Sequence, residues 1–186
     1  MMEALIHLDS SILLFIQDFI RNDILTPFFI FITTLGNSGF IWISISVLLL
    51  IFPRTRKIGC MGICALIMSL IINNMILKNL VERSRPYDAI TALVPLIHKP
   101  ADFSFPSGHT ASAFAAGCIF YRKLPKKIGI PTLILAFLIA ISRLYLGVHY
   151  PSDVIAGMFS GIAISFMAEM VINASTVTQK KIKEGV

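Results

Sequence analysis

Three separated stretches of the chain carry residue types that could together handle an anion. KNLVERSRP holds Lys78, Arg85 and Pro86, FSFPSGHTAS holds Pro106, Ser107, Gly108 and His109, and SRLYLGVHYPSD holds Ser142, Arg143, His149 and Asp153. Arg85 and Arg143 can present planar guanidinium forks to the non-bridging oxygens of a phosphate, and Lys78 adds a compact positive charge. Ser107 and Gly108 open a helix whose first backbone N–H groups have no partner within the helix and so point at an anion. The two histidines divide the remaining work, because phosphoryl transfer needs a nucleophile in line with the departing oxygen and an acid to protonate a poor leaving group. Asp153 follows His149 by one helical turn, where its carboxylate can fix the imidazole tautomer and stabilise the charge that develops on attack. His149 is therefore the expected nucleophile and His109 the expected general acid.

The elements that must position these stretches are apolar. The chain is 56% hydrophobic and only 14% charged, with a mean hydropathy of +0.82, which excludes an ordinary soluble domain of this length. A helix of about 20 apolar residues crosses the hydrocarbon of a bilayer, and runs at 26–52, 58–77, 109–121, 128–146 and 152–173 predict an all-α polytopic transmembrane bundle of about five spans. Residues 1–186 form one domain on this reading. The first run is expected to bend or break at Gly36-Asn37-Ser38-Gly39. Residues 1–22 read as an interfacial helix, with Glu3, His7, Ser10, Gln17, Asp18 and Arg21 on one side and Leu5, Leu8, Ile12, Phe15, Phe19 and Ile20 opposite. That segment lacks the basic start and cleavage site of a signal peptide and is expected to be retained.

Other residues have plainer expected uses. Cys60, Cys64 and Cys118 lie in apolar segments and read as small packing residues. Gly157 and Gly161, in GMFSG, have the spacing of close helix packing. Asn73 and Asn74 are expected to satisfy contacts between helices, with ordering of the Lys78 segment as their other use. His98 and Asp102 lie in the polar loop and read as solvated residues, with contact to a head group as their other use.

Orientation follows from the basic residues, since loops left in the cytoplasm are enriched in lysine and arginine. Arg54, Arg56 and Lys57, then Arg122, Lys123, Lys126 and Lys127, then Lys180, Lys181 and Lys183 in the tail 174–186, fall on one side if the spans alternate. These clusters account for the net charge of +6 without nucleic acid. The C-terminus is thus expected in the cytoplasm. Arg21, Lys78, Arg83, Arg85, Lys99 and Arg143 are left on the extracytoplasmic side, against the bias, and positive charge kept there suggests an anion. Alone, a basic residue at a helix end is more often an anchor, a single histidine more often structural, and Pro-Ser-Gly more often a turn. Their arrival at one level of one face makes coincidence the poorer account.

The ordered pattern KxxxxxxRP, PSGH and SRxxxxxHxxxD is matched in full across residues 78–153, and it resembles the type 2 phosphatidic acid phosphatase superfamily, which includes soluble acid phosphatases and vanadium haloperoxidases. The resemblance implies an acid phosphatase/vanadium haloperoxidase-like core and a phosphohistidine on His149 with Asp153 as its partner. It also implies His109 as acid, with Lys78, Arg85, Ser107, Gly108 and Arg143 around the phosphate. No metal and no other cofactor is expected: Glu82, Asp88, Asp102 and Asp153 form no evident cluster, and the arginines supply the charge magnesium would. The expected activity is removal of a terminal phosphate from a lipid phosphate or diphosphate at the outer face of the cell membrane, with the lipid and the bilayer as the partners. LVPLIHKPADFSFPSGHT resembles the corresponding region of bacterial undecaprenyl diphosphate phosphatases, which puts undecaprenyl diphosphate first. Many of those enzymes carry Asp where Gly108 stands, so phosphatidylglycerophosphate and phosphatidate compete, and a lipid A phosphate follows. The membrane-spanning composition argues against a haloperoxidase. A non-catalytic lipid-phosphate binding or transport protein would need the cations but not the paired histidines.

Overall fold

Apolar segments surrounded by hydrocarbon must satisfy their backbone groups internally, which restricts them to helices or closed barrels. This computed structural model describes residues 2–184, with side chains from Ala4 to Ser175, and all regular structure among them is helical. The side chains of most of the tail expected at 174–186 lie outside the described residues. In chain order the elements are α1 (Met2–Phe15, running into a π-helical turn Ile16–Ile20), α2 (Leu25–Gly36), α3 (Phe40–Ile51) and α4 (Arg56–Ser69). A π-helical stretch, Leu70–Leu77, carries α4 into α5 (Lys78–Val81). Then follow α6 (Pro86–Ala89), α7 (Gly108–Lys123), α8 (Lys126–Tyr145) and α9 (Pro151–Glu184).

Among the described residues four helical stretches, Leu25–Ile51, Arg56–Ala89, Lys126–Tyr145 and Pro151–Ser175, are long and apolar enough to cross a membrane. The first contains the expected break: α2 and α3 are separated by Asn37–Gly39, where Ser38 adopts φ 51° and Gly39 φ 70°. The remaining expected run, 109–121, is α7, which at 16 residues is the hub of the bundle. It packs against α4, α8 and α9. Its Ala111, Ala113, Ala115 and Ala116 are fully buried, and such small side chains let neighbouring backbones approach. Phe114, Ile119 and Phe120 fill the space between, around Trp42 of α3.

The closest of these approaches is between α7 and α9. A β-carbon at Gly157 would lie 2.7 Å from the Ser107 carbonyl oxygen, and one at Gly161 would lie 2.5 Å from that of Ala111. Both obstacles are backbone and cannot turn aside. Gly161→Leu is therefore expected to push α9 off α7 at a cost of at least about 1–3 kcal/mol. The expected readout is a lower melting temperature in detergent, and an unchanged one would contradict this packing.

Alternation of α4, α7, α8 and α9 gathers the end of α4, the start of α7, the end of α8 and the start of α9 at one pole of the bundle. The basic residues at the start of α4 and around the α7–α8 connection lie at the other, where Arg122 and Lys123 pair with Glu169. α1 is not among the stretches long enough to cross. It docks through Asp9, a buried carboxylate that accepts from the Ser152 amide at 3.0 Å, the Ser152 hydroxyl and Arg83.

Candidate active site

Gly147 sets the position of the first histidine. Its φ of 71° is the left-handed turn that glycine adopts without strain, and it lets the chain leave α8 and swing across the pole before α9 begins at Pro151. His149 sits on that crossing and is 1% exposed. Its Nε2 lies 3.1 Å from Nη1 of Arg85. A guanidinium only donates, so Nε2 accepts and the ring proton belongs on Nδ1. Burial first, then the charges of Arg85, Arg143 and Lys78, hold this imidazole well below its usual pKa. A neutral ring with its Nε2 lone pair unprotonated is the form a nucleophile needs.

Asp153 lies behind His149, with Oδ2 3.5 Å from Nδ1, beyond hydrogen-bond length. Its oxygens are already engaged: Oδ1 accepts from Arg83 at 2.6 Å, and Oδ2 from Ser104 Oγ at 2.5 Å and the Tyr150 amide at 3.0 Å. Nδ1 of His149 is left without a partner. Such pairs are often long in the unliganded state and tighten when charge develops on the ring. Arg83 and Ser104 were not singled out as site residues by the sequence; they set the carboxylate that sets the histidine, and Arg83 also stacks 3.9 Å from the centre of the Tyr150 ring.

His109 occupies the first turn of α7. Its Nε2 is 3.0 Å from Oδ1 of Asn37, in the break between α2 and α3, which leaves Nδ1 for the cavity. Asn37 is a further residue the sequence reading did not connect to the site. Ser107 differs from its expected place. It is fully buried as the cap of α7, its hydroxyl accepting from Thr110 and its amide donating to the Asp153 carbonyl at 3.1 Å, and it does not line the cavity. A serine before a helix satisfies an otherwise orphaned N–H, and that use competes with ligand contact. Gly108 does line the cavity, and a β-carbon there would meet Asn74 Oδ1 at 2.6 Å. Asn73 turns the other way, bonding Ser69 and accepting from Ser160 of α9 at 2.7 Å, so it serves a helix contact while Asn74 faces the cavity.

The cavity has a volume of about 590 Å³. Lys78, Arg85, Arg143, His109 and His149 line one end, and Ile43, Ile63, Leu66, Ile67 and Leu70 form an apolar wall from α3, α4 and its extension. Lys78, Arg85 and Arg143 are 5%, 4% and 2% exposed. Arg143 donates to Thr33 Oγ1 at 2.6 Å, has no partner for its buried Nε, and makes no ion pair with a carboxylate among the described residues. Arg85 is more fully engaged: Nη1 donates to the Val148 carbonyl, Nε to the Asp102 carbonyl and Nη2 to Asp102 Oδ1 at 2.5 Å. Lys78 holds the other oxygen of the same carboxylate. Asp102 is therefore no solvated bystander, although its side chain stays 53% exposed. Burial opposes its ionisation, but Lys78 and then Arg85 outweigh it and bring its pKa down to about 2. Of the remaining cations on this side, Arg21 caps the Tyr145 and Val94 carbonyls and Lys99 lies 5.2 Å from the centre of the Tyr87 ring. The described residues contain no group of three or more histidine, cysteine or carboxylate side chains suited to hold a metal.

A bundle of apolar helices long enough to cross a membrane, with buried cations and two histidines around one cavity, has the residue types to handle a phosphate. Residues 58–176 match the PAP2 superfamily, and the chain belongs to it. It is 35% identical over 155 residues to an undecaprenyl-diphosphatase of Sulfolobus acidocaldarius, covering 83% of this chain and 73% of that one. Its fold is similar to the crystal structure of a transmembrane PAP2-type phosphatidylglycerolphosphate phosphatase from Bacillus subtilis, with a TM-score of 0.75, 28% identity, and coverage of 92% of this chain and 87% of the other. The structure of LpxE from Aquifex aeolicus matches with a TM-score of 0.72 and 29% identity over 81% of this chain and 88% of that one. These relatives support a membrane lipid phosphatase.

Proposed function

We propose that the protein hydrolyses the terminal phosphate of a lipid phosphate or diphosphate, most favourably undecaprenyl diphosphate, at the extracytoplasmic face. Arg143 carries this reading: a buried guanidinium without a carboxylate partner is costly unless a ligand supplies the missing negative charge, and it lines the same cavity as both histidines. The apolar wall of that cavity suits a lipid tail arriving sideways between α3 and α4, with the head group at the cationic end.

In the first step His149 Nε2 attacks phosphorus as the bond to the departing oxygen breaks, and His109, entering the step as the imidazolium with its Nε2–H on Asn37, gives that oxygen its Nδ1 proton. Lys78, Arg85 and Arg143 hold the non-bridging oxygens, with the Gly108 backbone against the phosphate. Asp153 takes up the positive charge on the phosphorylated ring by closing on Nδ1. In the second step water attacks phosphorus, its proton passes to His109, and the phosphorus–nitrogen bond breaks to free inorganic phosphate and neutral His149. The cations supply the charge stabilisation, so no divalent metal enters either step. Phosphatidylglycerophosphate is the second substrate favoured, on the fold shared with the Bacillus phosphatase.

The test is inorganic phosphate release by purified protein in detergent from a prenyl diphosphate, phosphatidylglycerophosphate, phosphatidate and lysophosphatidate, each with and without a chelator. Release from the prenyl diphosphate at the highest kcat/KM, insensitive to chelator, is the expected result. Binding of all four without release from any would favour a lipid-phosphate binding or transport protein instead.

A further inference from the structure

We propose that Asp102 is a specificity-determining residue that holds the place of the phosphate between Lys78 and Arg85 and gives it up only to a dianionic terminal phosphate. The inference rests on the phosphatase reading above and adds how that site rejects the phosphodiester head groups of the surrounding bilayer, which carry at most a single negative charge on phosphorus.

The carboxylate is arranged as a ligand would be. Its Oδ1 takes Nη2 of Arg85 and its Oδ2 takes the Lys78 ammonium, the fork and point charge expected to grip two oxygens of a phosphate. The partners differ in freedom. Lys78 and Arg85 are nearly wholly buried and cannot follow a departing anion, whereas the Asp102 side chain is half in solvent. The backbone beneath it is pinned: Arg85 Nε donates to the Asp102 carbonyl at 2.9 Å, the Tyr87 hydroxyl to the Pro100 carbonyl at 2.6 Å, and the Ser104 amide to the Arg83 carbonyl at 2.8 Å. Exchange of carboxylate for phosphate is thus a side-chain rotation, with the loop fixed and Arg85 still tethered.

A place exists for the displaced group. Asp102, Arg85 and Pro100 line the first cavity and also form part of the wall of a second, of about 400 Å³, which Lys99 lines too. Outward rotation moves the carboxylate from the buried cations toward Lys99. The exchange is selective because of charge: a monoanionic phosphodiester only replaces one negative charge by another, while a dianion adds a second against Arg143, which Asp102 leaves without an ion pair.

Competition in detergent micelles tests this, using phosphate release from the best terminal-phosphate lipid as the readout and phosphatidylglycerol as competitor. Asp102→Asn keeps the size and removes the charge; Asp102→Ser carries the same test if the amide variant does not purify. The inhibition constant for phosphatidylglycerol is expected to fall about tenfold or more in the neutral variant, the size of effect a single paired charge produces at a partly buried site, and to return toward wild type in Asp102→Glu. Equal inhibition constants in wild type and Asp102→Asn would overturn the proposal, as would an equal fall in Asn and Glu variants, which would mark shape rather than charge. No phosphate release by the wild-type protein from any lipid would sink the phosphatase reading itself, a result separable from the comparison of variants.

Discussion

Replacing His149 with alanine is expected to lower phosphate release by on the order of 10³-fold or more, because in the proposed mechanism it removes the atom that would form the covalent intermediate and not merely a contact to substrate. The geometry gives the expectation its specificity. Nε2 accepts from Arg85, the ring borders the cavity, and burial and the neighbouring cations disfavour its protonation, so the lone pair on Nε2 is unprotonated and held by the guanidinium that is to grip the phosphate. The fold should survive the loss, since Asp153 keeps Arg83, Ser104 and the Tyr150 amide as partners. A melting temperature within a few degrees of wild type is the control. In single turnover with substrate labelled in its terminal phosphate, wild type should carry label that survives alkali and is lost in acid, as a phosphoramidate does. The alanine variant should carry none. Turnover within tenfold of wild type, or undiminished label, would remove His149 from the nucleophile's role.

What the sequence made legible was residue type and local spacing. Lys78, Arg85, His109, Arg143 and His149 all reach one cavity because each lies near the end of a helix, and the alternation of apolar runs brings those ends to the same pole. The GMFSG pattern likewise specified a close contact, since only a backbone neighbour makes two glycines four residues apart necessary. Partnerships between elements were not legible. Asp9 belongs to a helix whose visible signal is a polar face, and nothing in that periodicity shows one carboxylate bridging Arg83 and the start of α9. Asn37 read as part of a break, which it is; that the break aims an amide oxygen at His109 depends on how α2 packs against α8 beside α7. Asp102 sits in a stretch without periodicity, where exposure was the first expectation and contact with a head group the second, and neither shows a carboxylate shared by Lys78 and Arg85. Ser107 shows the converse ambiguity: a serine before a helix serves as cap or ligand contact with one sequence signal, and here the buried hydroxyl is engaged as the cap.

These partnerships form layers. Asp9 and Ser104 engage Arg83 and Asp153; Asp153 backs His149; His149 and Asp102 converge on Arg85. Lys78, Arg83, Arg85, Asp9 and Asp153 at this pole are each paired with an opposite charge, and the pole of the bundle would be an ordinary buried network if Arg143 were paired too.

Substituting methionine for Arg143 is therefore expected to separate stability from activity. Removal of a guanidinium that in the proposed mechanism stabilises the phosphorus oxygens in the transition state should lower kcat/KM by on the order of 10²–10³-fold. The substrate-free protein should melt no lower than wild type, and higher if relief of burying an unpaired charge exceeds loss of the 2.6 Å hydrogen bond to Thr33. Ligand-induced stabilisation should move in the opposite direction. Phosphate or vanadate at 100 times its dissociation constant stabilises a binding protein by about 2.7 kcal/mol, and the variant should lose most of that gain at the same concentration. Arg143→Lys keeps the charge but not the fork, and should fall between the two. A methionine variant that melts well below wild type yet keeps its turnover and its phosphate-induced shift would mean that Arg143 holds the bundle together and not the ligand, and the phosphate site would then have to be built from Lys78 and Arg85 alone.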